Sequence, residues 1–171
     1  MNGPILSIIT VNFNNNLGLL KTLESVSSQS FSSYEHIIID AGSTDGSRET
    51  IIQYEKENPH LSFWSSEPDK GIYDGMNKGI DHAKGQYLYF LNSGDCLSQD
   101  ILAKIPFDGT EYLYGDTILF YKRKTKKRVY PDTLDLIYLS DNSLHHQSCF
   151  IHHTLFKDKR YDINYKIISD W

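Results

Sequence analysis

The sequence predicts an α/β fold, in which a mostly parallel central sheet is flanked by helices and a smaller mixed β portion follows. Three observations carry this. Segments rich in apolar residues and of strand length occur at Ile5 to Val11 and Tyr34 to Asp40, and an unbroken apolar run at Tyr87 to Leu91, each running into a polar turn. Unbroken runs of this kind read as strands buried on both faces of a parallel sheet. Segments with apolar residues at helical spacing lie between them, and the connections are short, which is the doubly wound pattern.

In chain order, Ile5 to Val11 forms the first strand and stops at Asn12-Phe13-Asn14-Asn15-Asn16, a cluster suited to a turn and a helix N-cap. Leu19, Leu20, Leu23 and Val26 then recur on one helical face up to about Ser28. Tyr34 to Asp40 is the second strand, and the turn after it leads into a helix over Arg48 to Glu57, stopped by Asn58-Pro59. Leu61 to Ser65 is the third strand, Glu67 to Gly71 a loop, and Tyr73 to Ala83 a helix closed by Lys84-Gly85. The fourth strand, Gln86 to Leu91, ends in Asn92-Ser93-Gly94-Asp95, and Ser98 caps a short helix through Ile105. Right-handed crossovers place Asn12, Asp40, Glu67 and Asp95 along one edge of the sheet. After Pro106, Glu111 to Tyr121 and Arg128 to Tyr130 read as hairpin strands, Thr133 to Leu139 as a helix and Gln147 to Ile151 as a strand. One domain in two halves is expected, 1–105 and 106–171, truncated at its C-terminus because the chain stops on Ser169-Asp170-Trp171.

Composition narrows the function classes. Length (171 residues), 39% hydrophobic and 23% charged residues fit one globular domain. The N-terminus lacks a leader pattern and no apolar run approaches a membrane span. Cys96 and Cys149 make neither a disulfide framework nor a metal-ligand spacing, so a reduced cytoplasmic compartment is the simplest expectation. Net charge is −5, yet six of the seventeen basic residues lie between Lys122 and Arg128, leaving eleven basic against twenty-two acidic residues elsewhere. Such a run is either a solvated hairpin tip or a peripheral contact with an anionic membrane at its inner face. No nucleic-acid partner is expected.

The stretch from Asp40 to Glu49 lacks the oxygen ligands of a calcium loop, no Gly-x-Gly-x-x-Gly follows the first strand, and no P-loop lysine motif is present. What remains is a row of carboxylates and amides at strand ends. A carboxylate there can accept from a nucleobase imide, or hold Mg²⁺ or Mn²⁺ against two phosphates.

Four segments then fall in order: Ser7-Ile8-Ile9-Thr10-Val11-Asn12-Phe13-Asn14, Ile39 to Gly46, Asp69-Lys70-Gly71 through Asn77-Lys78-Gly79, and Phe90 to Asp95. Together they resemble the family-2 inverting glycosyltransferases of the GT-A fold, of the bacterial exopolysaccharide, O-antigen or colanic-acid type. The resemblance implies an inverting, metal-dependent hexosyltransferase. It would use a UDP- or GDP-type nucleotide sugar and a saccharide or lipid-linked acceptor. Val11 and Phe13 would line the nucleobase pocket, Asp40 would accept from the base, and Gly71, Asn77 and Asn92 would flank the nucleotide sugar. Asp95 would ligate Mg²⁺ or Mn²⁺, Asp170 would be the catalytic base, and His146, Gln147 and Trp171 would lie on the acceptor side. Asn92 and Gly94 stand where many relatives carry aspartates, so the metal site is expected to rest on Asp95 and the donor's own phosphates. Two other readings stay open, a nucleotidyltransferase and a non-catalytic nucleotide-sugar-binding module.

Overall fold

The computed structural model describes residues 3–122 and 124–165. The expected alternation is present as β1 (Leu6–Asn12), α1 (Asn16–Ser27), β2 (Tyr34–Asp40), α2 (Ser47–Glu57), β3 (Leu61–Ser66), α3 (Ile72–His82) and β4 (Tyr87–Phe90). Beyond these come β5 (Tyr112–Tyr114), β6 (Thr117–Tyr121), β7 (Lys124–Arg128), α4 (Leu136–Asp141) and β8 (Cys149–His152). The main sheet has the order β3-β2-β1-β4-β8-β5, while β6 and β7 form a separate two-stranded ribbon. Strands β3, β2, β1 and β4 are mutually parallel, and β8 runs antiparallel to both β4 and β5. This is the mixed α/β architecture with a mostly parallel sheet that the apolar runs predict.

The core follows from the two-residue period of the strands. Every residue of β1 and β2 is buried. Ile9, Val11, Ile37 and Ile39 face one side and pack against Met76 and Ile80 of α3. Leu6 and Ile8 face the other side with Val26 of α1, where Ile38 meets Leu19, Leu23 and Ile51. Each isoleucine withdrawn from water in this way contributes about 1.5–3 kcal/mol. Helix α3 lies close against β1 because Gly75 and Gly79 face it: a Cβ at Gly79 would stand 2.3 Å from Ile9 Cγ2, and one at Gly75 would stand 2.8 Å from Val11 Cγ1.

Several elements differ from expectation for local reasons. The helix anticipated after Ser98 is only a single 3-10 turn, Leu102–Lys104, since Asp100 adopts φ +48° before it and Pro106 follows. The strand anticipated over Glu111 to Tyr121 divides around Gly115 because its two parts have different partners: the first pairs with β8 in the main sheet and the second with β7 in the ribbon. The basic run begins at the hairpin's turn with Lys122 and continues into its second strand. Lys124 to Arg128 is itself β7, paired along its length with β6. The helix near Thr133 begins later, at Leu136, where Asp135 caps it by accepting from Tyr138 N at 2.6 Å.

One buried polar network interrupts the apolar layer. His36, fully buried in β2, lies 2.9 Å from Thr10 Oγ1 and 3.0 Å from the Tyr54 hydroxyl, which in turn accepts from Asn58 Nδ2 at 2.8 Å. Burial pushes the imidazole down to about 3, so the ring stays neutral in the fold.

Two outcomes test this packing. Gly79→Ala should destabilise the fold by about 1–3 kcal/mol, read as a lower urea midpoint, because the new methyl meets a β-branched side chain fixed in the sheet. For His36 the unfolded ring titrates near 6.5 while the folded ring titrates near 3. Above the upper value both states are neutral and stability is fully present. As pH falls through that window the unfolded chain takes up a proton that the native state refuses, so stability drops by about 1.4 kcal/mol per pH unit. Urea melts at neutral pH and at about pH 5 should show a shallower drop for His36→Gln than for wild type; equal slopes would refute the assignment.

Candidate functional site

The chain passes from β1 to β2 on one side and then crosses back through α3 to place β4 on the other side of β1. The crevice beyond the C-terminal ends of β1 and β4 is therefore a topological switch point, where open α/β sheets bind ligands. A pocket of about 810 Å³ lies there. Its walls are Val11, Asn12, Phe13 and Asn15 from the end of β1, Ala41 and Gly42 after β2, Pro68, Asp69, Gly71 and Ile72 before and at the start of α3, and Asn92 and Ser93 after β4. Of the residues anticipated at a nucleotide-sugar site, Val11, Phe13, Gly71 and Asn92 line it. Val11 is buried, Phe13 is 63% exposed at the rim, and Gly71 has φ +119°, a backbone that favours glycine.

Asp40 lies beneath this pocket rather than in its wall. It is fully buried, and its oxygens accept from Asn12 Nδ2 at 2.7 Å, Ser43 Oγ at 2.5 Å, Ser43 N at 2.9 Å and Ser66 Oγ at 2.6 Å. Burial by itself would raise this carboxyl, but the bonds from Ser43, Ser66 and Asn12 together outweigh it and hold the group below the usual carboxylate value. For a base imide to reach Asp40, one of these bonds must give way. Asn77 is also elsewhere. Its Nδ2 donates to Tyr161 O at 2.8 Å and its Oδ1 accepts from Tyr161 N at 3.0 Å, so the amide anchors the downstream chain to α3 and does not line the pocket.

The turn after β4 is bound to the C-terminal portion by two polar contacts. Asn92 Nδ2 lies 3.0 Å from His146 Nε2, and Gln147 Nε2 donates to Asp95 Oδ2 at 3.0 Å. Below them the Tyr89 hydroxyl donates to Gln147 O at 2.8 Å, and burial, assisted by the charge on Asp95, pushes that phenol well above its ordinary value. The structure thus brings Asn92, Asp95, His146 and Gln147 together. Gly94, at φ +102°, makes the turn, and Thr22 Oγ1 donates to Asp95 O at 2.7 Å while accepting from Gly94 N at 3.0 Å. Asp170 and Trp171 lie outside the described residues.

Among the described residues no group of three or more His, Cys, Asp or Glu side chains gathers to hold a metal. Asp95 is a single carboxylate that does not itself line the pocket; it lies on the same turn as the wall residues Asn92 and Ser93 and is held by Gln147. That set fits a hard ion which takes one or two carboxylates and completes its shell with water and substrate phosphates. It does not fit a site closed by the protein alone.

In the sequence the asparagine run reads as a turn and helix cap, with Asn12 on the sheet edge but not as a ligand-facing acceptor. Three residues of the pocket wall, Asn12, Asp69 and Asn92, each carry a buried side-chain oxygen without a hydrogen-bond partner among the described residues. Leaving such an acceptor unmade costs about 1–3 kcal/mol, so their clustering in one pocket is a mark of a binding surface. Asp69 had a signal in the sequence, its place two residues before Gly71, whose N–H its Oδ1 accepts at 2.8 Å.

Known proteins carry the same pattern. The model of the family described as Glycosyl transferase family 2 matches residues 7–147. An uncharacterized glycosyltransferase of Mycobacterium tuberculosis is 43% identical over 103 residues, covering 59% of this chain and 38% of that protein. A PGL/p-HBAD biosynthesis glycosyltransferase of Mycobacterium bovis is 30% identical over 179 residues, covering all of this chain and 68% of that protein. Staphylococcus aureus TarS 1–349, solved with UDP, superposes with TM-score 0.77 at 18% identity over 96% of this chain and 52% of its own. The mannosyltransferase PcManGT of Pyrobaculum calidifontis, solved with GDP-Man and Mn²⁺, gives TM-score 0.54 at 21% identity over 59% of this chain and 31% of its own. The chain therefore spans well under two thirds of the length of several proteins it matches. Its sheet order, switch-point pocket and family match agree: it has the GT-A fold and belongs to glycosyl transferase family 2.

Proposed function

We propose that this chain is the nucleotide-sugar-binding part of an inverting glycosyltransferase, which moves a hexose from a nucleoside-diphosphate sugar to a saccharide or lipid-linked acceptor in surface-polysaccharide synthesis. The observation that carries the reading is the switch-point pocket, with buried acceptor oxygens of Asn12, Asp69 and Asn92 in its wall and Asp95 on the turn that supplies Asn92. Val11 and Phe13 offer apolar surface to a base, while Asn12 and Asp69 offer acceptors to its N–H groups or to ribose hydroxyls. Asp40 acts through Asn12 and Ser43, which it holds in place. The solved relatives with UDP and with GDP-Man support a donor of the UDP or GDP type.

In the proposed reaction the acceptor hydroxyl loses its proton to the Asp170 carboxylate and attacks the anomeric carbon. The new C–O bond forms as the bond to the diphosphate oxygen breaks on the opposite face, so configuration inverts. The role of Asp170 rests on the family resemblance of Ser169-Asp170-Trp171. Asp95 would hold Mg²⁺ or Mn²⁺ together with donor phosphates, and the chemistry such an ion supplies is neutralisation of charge on the departing diphosphate. Gln147 occupies the same carboxylate oxygen region in this state and would yield to the ion. His146 and Gln147 border the acceptor side.

A second reading, a binding module without transfer, is favoured by one observation: a single carboxylate, itself hydrogen-bonded, stands where a metal would be held.

Calorimetry with UDP, GDP and dTDP, each with and without Mn²⁺, should show one nucleotide bound at least about tenfold more tightly with metal. Asp95→Asn should remove most of that metal enhancement while leaving metal-free binding intact. Metal-independent binding would favour the module, and no binding to any of the three would sink the reading. Asp170→Asn should lower kcat by a hundredfold or more, as loss of a general base does, with nucleotide affinity near wild type. A fall in nucleotide affinity instead would remove Asp170 from the role of base.

A further inference from the structure

The ribbon formed by β6 and β7 is not used by the pocket. In an antiparallel pair, directly opposed residues share a face. One face carries Thr117 with Arg128 and Leu119 with Lys126, then Tyr121 with Lys124; the other carries Ile118 with Lys127 and Phe120 with Thr125. Near the body the first face is covered, since Thr117, Leu119 and Arg128 are half-buried. Past Leu119 both faces are open. Phe120 is 78% exposed, Tyr121 59% and Ile118 48%, with Val129 exposed at the ribbon's base. Arg128 Nη2 donates to Asn142 Oδ1 at 3.2 Å, tying β7 to the end of α4, which exposes Leu136 and Ile137.

Charge and apolar surface are interleaved on this protrusion. Lys127 is paired with Asp116 at 2.7 Å, but among the described residues Lys122, Lys124 and Lys126 make no ion pair, and all three are exposed. The rest of the chain carries a large acidic excess. The molecule is therefore polarised, with a cationic, aromatic-tipped ribbon on an anionic body.

We propose that the β6–β7 ribbon docks on an anionic phospholipid bilayer. Lysines near such a surface each contribute roughly 1 kcal/mol of attraction, and Phe and Tyr side chains settle at headgroup level. The acidic body is repelled by the same surface, so the ribbon meets it tip first. Single-stranded nucleic acid also takes lysines with aromatics. Ile118, Val129, Leu136 and Ile137, however, offer aliphatic surface, which an acyl boundary accommodates and a phosphate backbone does not. The proposal rests on the ribbon and the adjoining α4 surface, and holds whatever the pocket binds.

The test is co-sedimentation of the full chain with vesicles of phosphatidylcholine alone and of phosphatidylcholine mixed with phosphatidylglycerol. Binding should appear only with the mixed vesicles and be released near 1 M salt, where the Debye length falls to about 3 Å. Replacing Lys122, Lys124 and Lys126 with Ser should weaken partitioning roughly a hundredfold, and Phe120→Ser alone about tenfold. Both variants change exposed side chains and should melt with the wild type, which a thermal scan checks. Equal binding to both vesicle types, no binding to either, or normally melting variants that still sediment as wild type does would each overturn the proposal. Capture of a labelled single-stranded oligonucleotide through these lysines, with vesicles left unbound, would overturn it as well.

Discussion

The hydrogen bond from Asn12 to Asp40 is the constraint on which the functional end of this molecule depends. The two residues end adjacent parallel strands and are direct partners in register, so the bond closes the β1–β2 seam where backbone pairing stops. Asp40 then binds Ser43 through both oxygens and Ser66 from the end of β3, and three loops become one floor. A buried carboxylate with several donors stays ionised, because each donor compensates part of the water it has lost. Neighbouring asparagines extend the same arrangement. Asn14 joins Ser43 and Thr44, Asn15 reaches Ser93 and caps α1, and Asn16 meets Asp45 and Thr50. A pocket made of four chain segments thereby acquires rigidity that loops alone do not have.

The other wall is built differently. The turn at Asn92 and Asp95 is held by Thr22 from α1 on one side and by His146 and Gln147 on the other. The latter pair is delivered by β8, which adds to the sheet beside β4. Residues far downstream therefore contact side chains at a strand end in the first half, and both portions of the chain contribute to one sheet.

Much of this was legible in the sequence wherever the signal is local and periodic. The isoleucine runs of β1 and β2, the helical spacing of Leu19 and Leu23, and the stops at Asn58-Pro59 and Lys84-Gly85 mark elements at nearly the observed bounds. Legibility failed where a distant partner decides. Glu111 to Tyr121 divides because its first part pairs with β8 and its second with β7, and nothing near Gly115 announces those partners. The basic run reads as a loop by composition yet becomes a strand because β6 presents a pairing edge. Asn77 sits within a segment that points to the nucleotide, but its amide is committed to the backbone of Tyr161. Asp69 and Asn12, whose spare oxygens mark the pocket wall, are ordinary turn residues until the three-dimensional arrangement leaves them without partners.

The position of β8 carries a consequence for how the chain must be made. Until β8 arrives, β4 is the outermost strand of the parallel set, and its Tyr-Leu-Tyr-Phe run presents an apolar ribbon with unpaired backbone groups. Such an edge is a template for pairing with another copy. The segment that matches the family model ends at residue 147, just short of the strand that covers this edge. A nascent or shortened chain stopping there would hold the whole apolar core of the first half and still be sticky along one side. Protection from self-association is thus assigned to four residues, Cys149–His152, that take no part in lining the pocket.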